Sequence, residues 1–317
     1  MRLTVDELRA SVVAVAADVA TAYARFDPPF DGDTLGERFS QLPGVHPAVA
    51  GRLVAAYNAV SDEFGDGGKA TVLIACGITR AALDRLPAEG RGNLPTAVDM
   101  ATARPAEWVE NAASGLETPE DVLRAAATAG GNRTDIGEAV VDALWQAGPR
   151  GITHITTGEP TAAPEFRRFS DDAGEEPEVT VTVSGRTAAE TRELELRTIA
   201  ALHSAVAAIA SGVVPGGGVA YALAAQSLRE ECGDDTNTGL SALAVVAGLE
   251  APLRARAVTT NPEELLAALH QAPEQAFDQT LPGLVPTAAG PLDAARIVQG
   301  VIREAGRAAC DLLRLAL

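Results

Sequence analysis

Three consecutive glycines, Gly216–Gly218, stand between two helical patterns, and no other feature constrains the fold of this chain as strongly. One pattern begins at Thr187 and runs into the glycines, and another leaves them at Val219. Glycine is costly in helical surroundings, so a triplet there indicates backbone that must approach something closely. The amides that open the second helix would attract an anion, whereas a tight turn between helices is the simpler interpretation.

The composition favours a large core of closely packed helices. Of the 317 residues, 47% are hydrophobic but only 4% are aromatic, and the formal net charge is −18. Such a charge speaks against nucleic acid or an anionic membrane surface as a partner. No apolar run reaches the roughly 18 residues of a membrane span, and the N-terminus lacks a signal-peptide pattern. The three cysteines have no metal-binding spacing, so we expect a cytoplasmic protein.

Hydrophobic periodicity predicts a mainly α-helical chain with a short sheet. The predicted helices are 5–25, 46–64, 71–86, 121–128, 135–147, 187–211, 219–230, 238–258 with a break at Pro252, a helix opened by Asn261, and 292–315. Two strands, 151–156 and 179–183, are expected to pair, and both Trp108 and Trp145 are expected in the core. Residues 87–105 are predicted to be loop-like with short helical pieces, and 161–178 to be a linker.

A second glycine-rich stretch, Gly65-Asp66-Gly67-Gly68-Lys69, comes just before the helical pattern that begins at Thr71. Lys69 is the single lysine of the chain, since the other 24 basic residues are arginine. A GC-rich genome explains the excess of arginine. The position of the one exception inside this loop is the informative observation.

Several ordered motifs resemble the group I chaperonins of the GroEL type. They are Gly65-Asp66-Gly67 with Ala70-Thr71-Val72-Leu73, Leu202-His203-Ser204-Ala205, Gly212 to Ala220, Glu250-Ala251-Pro252-Leu253-Arg254 and Gly290-Pro291-Leu292-Asp293. The resemblance covers the chain from about His46 onward. It implies a mainly α fold, with a chaperonin equatorial-domain-like helical bundle and a small intermediate α+β domain.

The resemblance also implies a domain order with one large omission. Residues 1–117 and 206–317 would form the equatorial part, and 118–160 and 179–205 the intermediate part. Chaperonins insert between these the apical domain that captures unfolded polypeptide, whereas residues 161–178 are too few for a domain. Residues 27–51 are too short for the family's β-hairpin that pairs with a neighbouring subunit, so ring assembly is doubtful.

By the same resemblance the chain would bind ATP or ADP with Mg²⁺. The candidate nucleotide-binding residues are Gly65, Asp66, Gly67, Gly68, Lys69, Gly216, Gly217, Gly218, Asp278 and Asp293. Asp66 would hold Mg²⁺ on the phosphate side, and the glycine triplet would pass beneath ribose and base. Asp293 would accept from the ribose hydroxyls, unless it caps the last helix.

The catalytic side of the site departs from the family. Ala200 stands where chaperonins carry a second catalytic Asp, and a methyl group neither orients water nor binds metal. Lys69 admits three interpretations: a phosphate-binding cation, an internal ion-pair partner of Asp66, or an exposed lysine.

Three functions therefore compete. The first is a nucleotide-binding, chaperonin-like protein with weak or absent hydrolysis and a possible role in protein folding. The second is a nucleotide-free scaffold that binds another protein chain. The third is a working ATPase with a compensating carboxylate from Asp62 or Glu63.

Overall fold

The computed structural model describes residues 2–30, 32–85, 93–116, 118–148, 151–171, 177–232, 237–281 and 283–316. Its helices are α1 (Val5–Ala24), α2 (Gly32–Ser40), α3 (Pro47–Phe64), α4 (Gly68–Arg85), α5 (Leu94–Ala112), α6 (Pro119–Ala129), α7 (Thr134–Ala147), α8 (Ala188–Ser211), α9 (Val219–Glu231), α10 (Asn237–Leu249), α11 (Ala251–Arg256), α12 (Pro262–Gln271) and α13 (Ala295–Arg314). Its strands are β1 (Ile152–Thr157), β2 (Glu165–Asp171), β3 (Glu178–Ser184), β4 (Val213–Pro215), β5 (Gln275–Phe277), β6 (Leu284–Pro286) and β7 (Leu292–Ala294).

The larger body is a helical bundle built around α4. This helix packs against α1, α3, α10 and α13, and most of its residues are buried. It approaches α10 closely because Gly77 lies against Gly248, where a side chain on Gly77 would collide with backbone. The mainly helical prediction with a chaperonin-like bundle is confirmed.

The smaller body is an α+β unit in which a three-stranded sheet packs on α7 and α8. The strand order is β1-β3-β2, with β1 parallel and β2 antiparallel to β3. Val179, Val181 and Val183 are fully buried on the helix side of β3, as the alternation of apolar residues predicts. The predicted pairing of residues 151–156 with 179–183 is therefore confirmed, with Ile152 opposite Glu178.

Two predictions of local structure were wrong. Helix α5 occupies most of the stretch predicted as loop, because Leu94, Val98 and Val109 pack into the core and burial outweighs the proline signals. The predicted linker contains β2, whose strand character depends on pairing with β3 rather than on its own sequence. Residues 87–92 and 172–176 of these two stretches lie outside the described part of the chain, as does Leu86, the predicted end of the preceding helix.

Two further differences concern tryptophan and the last helix. Trp108 packs against the core as predicted, but Trp145 is 53% exposed. The last helix begins at Ala295, three residues later than predicted, because β7 pairs with β4 instead. The predicted break at Pro252 is confirmed, since α10 ends at Leu249 and α11 starts at Ala251.

Helix α8 joins the two bodies. Its N-terminal half packs on α6, α7 and the sheet, and its C-terminal half leads to β4 and the glycine triplet. Thr187 caps it by accepting from the amide of Glu190. Among the described helices, α8 alone is long and apolar enough by composition to cross a membrane. That is weak evidence, because helices that pack in a protein core pass the same test.

Candidate functional site

A polar cavity of about 80 Å³ lies where the C-terminal end of α1 meets the N-terminal end of α4. Residues of α3, α6, α8, α9, α11, α13 and β7 complete its walls. The polar and aromatic lining residues are Tyr23, Phe26, Asp27, Tyr57, Ser61, Asp66, Lys69, Thr128, Arg197, Ser204, Tyr221, Arg256 and Asp293. Aspartates and basic groups therefore face one another across a small space.

The loop between α3 and α4 needs glycine to reach the cavity. Gly65 ends α3 in the left-handed conformation, and its amide donates to the Ser61 carbonyl at 2.8 Å. A side chain on Gly65 would collide with the His203 ring, and one on Gly67 with Val301. Because the loop stays narrow, the first amides of α4 lie at the cavity wall, where they favour negative charge.

Two half-buried carboxyls face the cavity from different parts of the chain. Burial raises the pKa of Asp66, while the Gly67 amide and Lys69 lower it. Burial raises the pKa of Asp293 to about 7, with Arg256 opposing the shift and Asp66 adding to it. Asp293 lies in β7 opposite Val214 and is not the cap of α13, a place taken by Ala294.

Lys69 ties the segment after α1 to the start of α4. Its ammonium group donates to the carbonyl oxygens of Asp27 and Pro28, and it lies 5.4 Å from the centre of the Phe30 ring. Burial lowers the pKa of Lys69 to about 7, although Asp66 nearby raises it. Its direct partners are thus backbone carbonyls, while its interaction with Asp66 is electrostatic.

Two arginines complete the cavity. The guanidinium of Arg256 stacks on the rings of Tyr23 and Phe26, at 4.3 and 4.2 Å from their centres. Its Nε is buried and has no hydrogen-bond partner. Arg197 donates to the Phe26 carbonyl at 2.7 Å and to Glu193 at 2.9 Å. Both arginines bring positive charge to the wall that faces the aspartates.

The glycine triplet does not line this cavity. Gly216, Gly217 and Gly218 are buried, and side chains there would collide with the backbones of Pro291, Phe277 and Leu253 respectively. Gly217 and Gly218 also have φ values of 73° and 90°, which glycine adopts without strain. On the side where a side chain would project, each of the three glycines is therefore packed against backbone of the chain itself.

Asp278 also lies away from the cavity. One of its carboxylate oxygens accepts from the amide and the hydroxyl of Thr280, at 2.9 and 2.7 Å. This carboxylate closes a local turn after β5.

Helix α8 presents no carboxylate to the cavity. Ala200 is fully buried and lies three residues after Arg197 and four before Ser204, both of which line the wall. Asp62 and Glu63 are exposed and do not line the cavity. Within the described part of the chain, no group of three or more His, Cys, Asp or Glu side chains is arranged to hold a metal ion.

The helical bundle with its small α+β unit defines the class: this is a chaperonin fold. A solved structure of a group III chaperonin in the open state is similar, with a TM-score of 0.75. The alignment covers 98% of this chain and 97% of that chain at 13% sequence identity. Identity this low shows the fold alone, so the resemblance to group I stays a prediction. No family model matches the sequence.

Sequence reasoning missed three groups that the structure brings to the cavity, Tyr23, Arg197 and Arg256. Each lies on a helix with no distinctive local motif. The one available signal was the break at Pro252, which turns α11 and places Arg256 over the end of α1. Such long-range placement follows from packing rather than from local pattern.

Proposed function

We propose that this chain is a chaperonin-fold protein that binds ATP or ADP through its phosphates at the N-terminus of α4, with weak or absent hydrolysis. The observation that carries the proposal is the cavity in which Lys69, Arg197 and Arg256 face Asp66 and Asp293. Basic groups and helix amides suit phosphate oxygens. Buried charges are costly, and an arginine Nε without a partner calls for an explanation such as a ligand.

The residues present fit Mg²⁺ only together with phosphate. Magnesium in phosphate-binding sites is commonly held by one or two carboxylates plus phosphate oxygens and water. Asp66 is the carboxylate at the helix N-terminus, so it would be the magnesium ligand. Mg²⁺ would neutralise phosphate charge there.

The cavity volume limits what binds without movement. About 80 Å³ accommodates several waters or a phosphate group, whereas small-molecule pockets typically measure about 300–1,000 Å³. A complete nucleotide therefore requires part of the cavity wall to move, and we propose that Arg256 leaves the rings of Tyr23 and Phe26. Those rings would then be free to stack on a base.

Weak hydrolysis follows from the missing carboxylate on α8. Attack by water needs a group that orients it, and the cavity-facing side of α8 carries Ala200 there. The exposed Asp62 and Glu63 do not supply a substitute at the cavity. We also propose that no polypeptide-capturing apical domain lies between β1 and β3, where the described residues contain a single strand, β2.

A nucleotide-free scaffold that binds another protein chain is the second candidate. It is favoured by the glycine triplet, whose surroundings the chain's own backbone fills. A cytoplasmic location remains a prediction, as does the doubt about ring assembly that the shortened 27–51 segment raises.

Calorimetry with ATP and with ADP, each with and without Mg²⁺, separates the two candidates. If the chain binds nucleotide, we expect a micromolar Kd, equivalent to about −8 kcal/mol. In Asp66→Ala the affinity for nucleotide should be the same with and without Mg²⁺. Phosphate release should stay at background. Absence of binding at about 1 mM, equivalent to about −4 kcal/mol, contradicts the proposal and favours the scaffold.

A further inference from the structure

Strand β1 is an open edge of the three-stranded sheet. Among the described strands it pairs with β3 alone. The amides of Ile152 and Gly158 donate to the carbonyls of Pro177 and Val183, respectively, each at 2.9 Å. These two bonds show which residues of β1 direct their backbone groups toward β3. Backbone N–H and C=O groups alternate in direction along a strand, so those of Thr153, Ile155 and Thr157 point away from β3. A row of unpaired backbone groups of this kind is a template for another strand.

An apolar groove of about 420 Å³ continues from the beginning of this edge. Its apolar walls are formed by Phe64, Leu144, Ile152, Leu202, Val206 and Ala207. Ile152 and Val206 are 42% and 49% exposed and lie together in this groove, so they form part of one exposed apolar patch. The hydroxyl oxygen of Thr153 is buried at the same place and has no hydrogen-bond partner.

The rim of the groove carries one charge of each sign. Glu63 and Arg296 are exposed on its rim, so the rim selects neither a strongly acidic nor a strongly basic occupant. The open backbone row selects an extended chain over a helix or a lipid, because only a strand satisfies alternate N–H and C=O groups. The apolar walls select apolar side chains on alternate residues.

We propose that the β1 edge and this groove bind an extended segment of another protein, which adds as a fourth strand and places alternate apolar side chains in the groove. The segment pairs with the backbone of Thr153, Ile155 and Thr157. Its end lies against α8 beside His203, and the ring of His203 packs on Gly65 at the start of the cavity loop. The bound segment therefore lies next to the proposed phosphate site without being part of it.

A labelled peptide with the sequence of residues 178–184, Glu-Val-Thr-Val-Thr-Val-Ser, is a direct probe. This sequence already pairs with β1 on the opposite edge, so its strand compatibility is established. In fluorescence anisotropy without nucleotide, we expect a Kd below about 100 μM, which is a modest peptide affinity. The same peptide with N-methyl groups on alternate residues should bind at least about tenfold more weakly, because methylation removes strand donors.

Paired variants test the edge and the groove separately. Thr153→Pro removes one outward N–H, and proline is tolerated where an edge amide faces solvent. Thr153→Val is its control, since it keeps the amide. Val206→Glu places a charge in the groove, and Val258→Glu, at a residue 71% exposed and outside the groove, is its control. We expect both test variants to weaken binding by about tenfold or more and both controls to stay within about twofold.

Circular dichroism shows whether each variant folds. If one of the two test variants does not fold, the other test variant and the N-methylated peptide decide the outcome. Equal binding by the variants and their controls, or no binding of the unmodified peptide at about 1 mM, overturns the proposal. Sedimentation that shows a dimer of the wild type, dissociated by Val206→Glu, also overturns it and assigns the groove to a second copy of the chain.

Discussion

Two glycine-rich turns in this molecule precede helices, yet they have opposite surroundings. Gly65–Gly68 opens α4 at a cavity lined by aspartates and basic groups. Gly216–Gly218 opens α9 and is packed against backbone from three other segments. Both turns use glycine for close approach, but one approaches a space and the other approaches the protein itself. Glycines before a helix therefore indicate close approach without indicating a ligand.

The largest expected effect is at the packed turn. Gly217→Ala should lower the free energy of unfolding by about 3 kcal/mol or more, because φ is 73° and the added carbon meets the Phe277 carbonyl. Urea denaturation measures the loss. A variant as stable as the wild type would show that the turn has room and would restore it as a nucleotide-binding candidate.

A smaller effect, dependent on pH, is expected at the cavity. Burial raises the pKa of Asp293 from 3.8 to about 7, so this group stabilises the fold fully below about pH 4 and loses that contribution as the pH rises through about 7. Asp293→Asn cannot ionise, so it should gain stability over the wild type between pH 4 and pH 8. The full pKa shift corresponds to about 4 kcal/mol, and solvent screening of this half-buried group reduces the expected gain to about 2 kcal/mol.

Urea denaturation at both pH values checks this difference, with the exposed Asp62→Asn as the matched control. A gain for Asp293→Asn that is the same at pH 4 and pH 8 would contradict a buried, raised pKa. The described backbone segments that pack against the glycine turn meet it at Pro291, Phe277 and Leu253, which do not titrate, so the pH dependence would distinguish the two regions.

Removing the arginine that covers the aromatic rings tests its role toward phosphate. We expect Arg256→Gln to weaken ADP binding by about tenfold, equal to about 1.4 kcal/mol, because the cavity loses a guanidinium whose buried Nε has no partner within the protein. Calorimetry measures the change, and Arg303→Gln on an exposed face of α13 is the control. Tighter binding would instead show that Arg256 only covers the rings of Tyr23 and Phe26.

The smallest effect is expected at a glycine that neither region uses. Gly51 lies on the exposed side of α3, and a side chain there would have nothing within 4 Å. Gly51→Ala should therefore stabilise the protein by about 0.5–1 kcal/mol through helix propensity. A loss of stability in urea denaturation would mean that the space around a glycine does not by itself predict the effect of substitution at Gly51 and at the two glycine turns.

Local sequence patterns predicted much of the fold, but they predicted only some of the residues that line the candidate site. The alternation in β3 and the cap at Thr187 predicted a strand and a helix start correctly. The Gly65–Lys69 stretch was predicted to precede its helix, but α4 begins at Gly68, three residues earlier than predicted. Asp66 and Asp293 both line one cavity. Strand β2 and helix α5 were missed, because their conformation depends on partners far away in the chain.

The sequence by itself determined where most helices begin and end, because caps, prolines and the helical period act within a few residues. It also determined that glycine is required at both turns. Only the tertiary structure decided which turn faces a cavity, that Lys69 donates to backbone carbonyls, and that Arg256 covers the aromatic rings. Those outcomes depend on how distant segments pack, and packing is a property of the whole chain rather than of any local stretch.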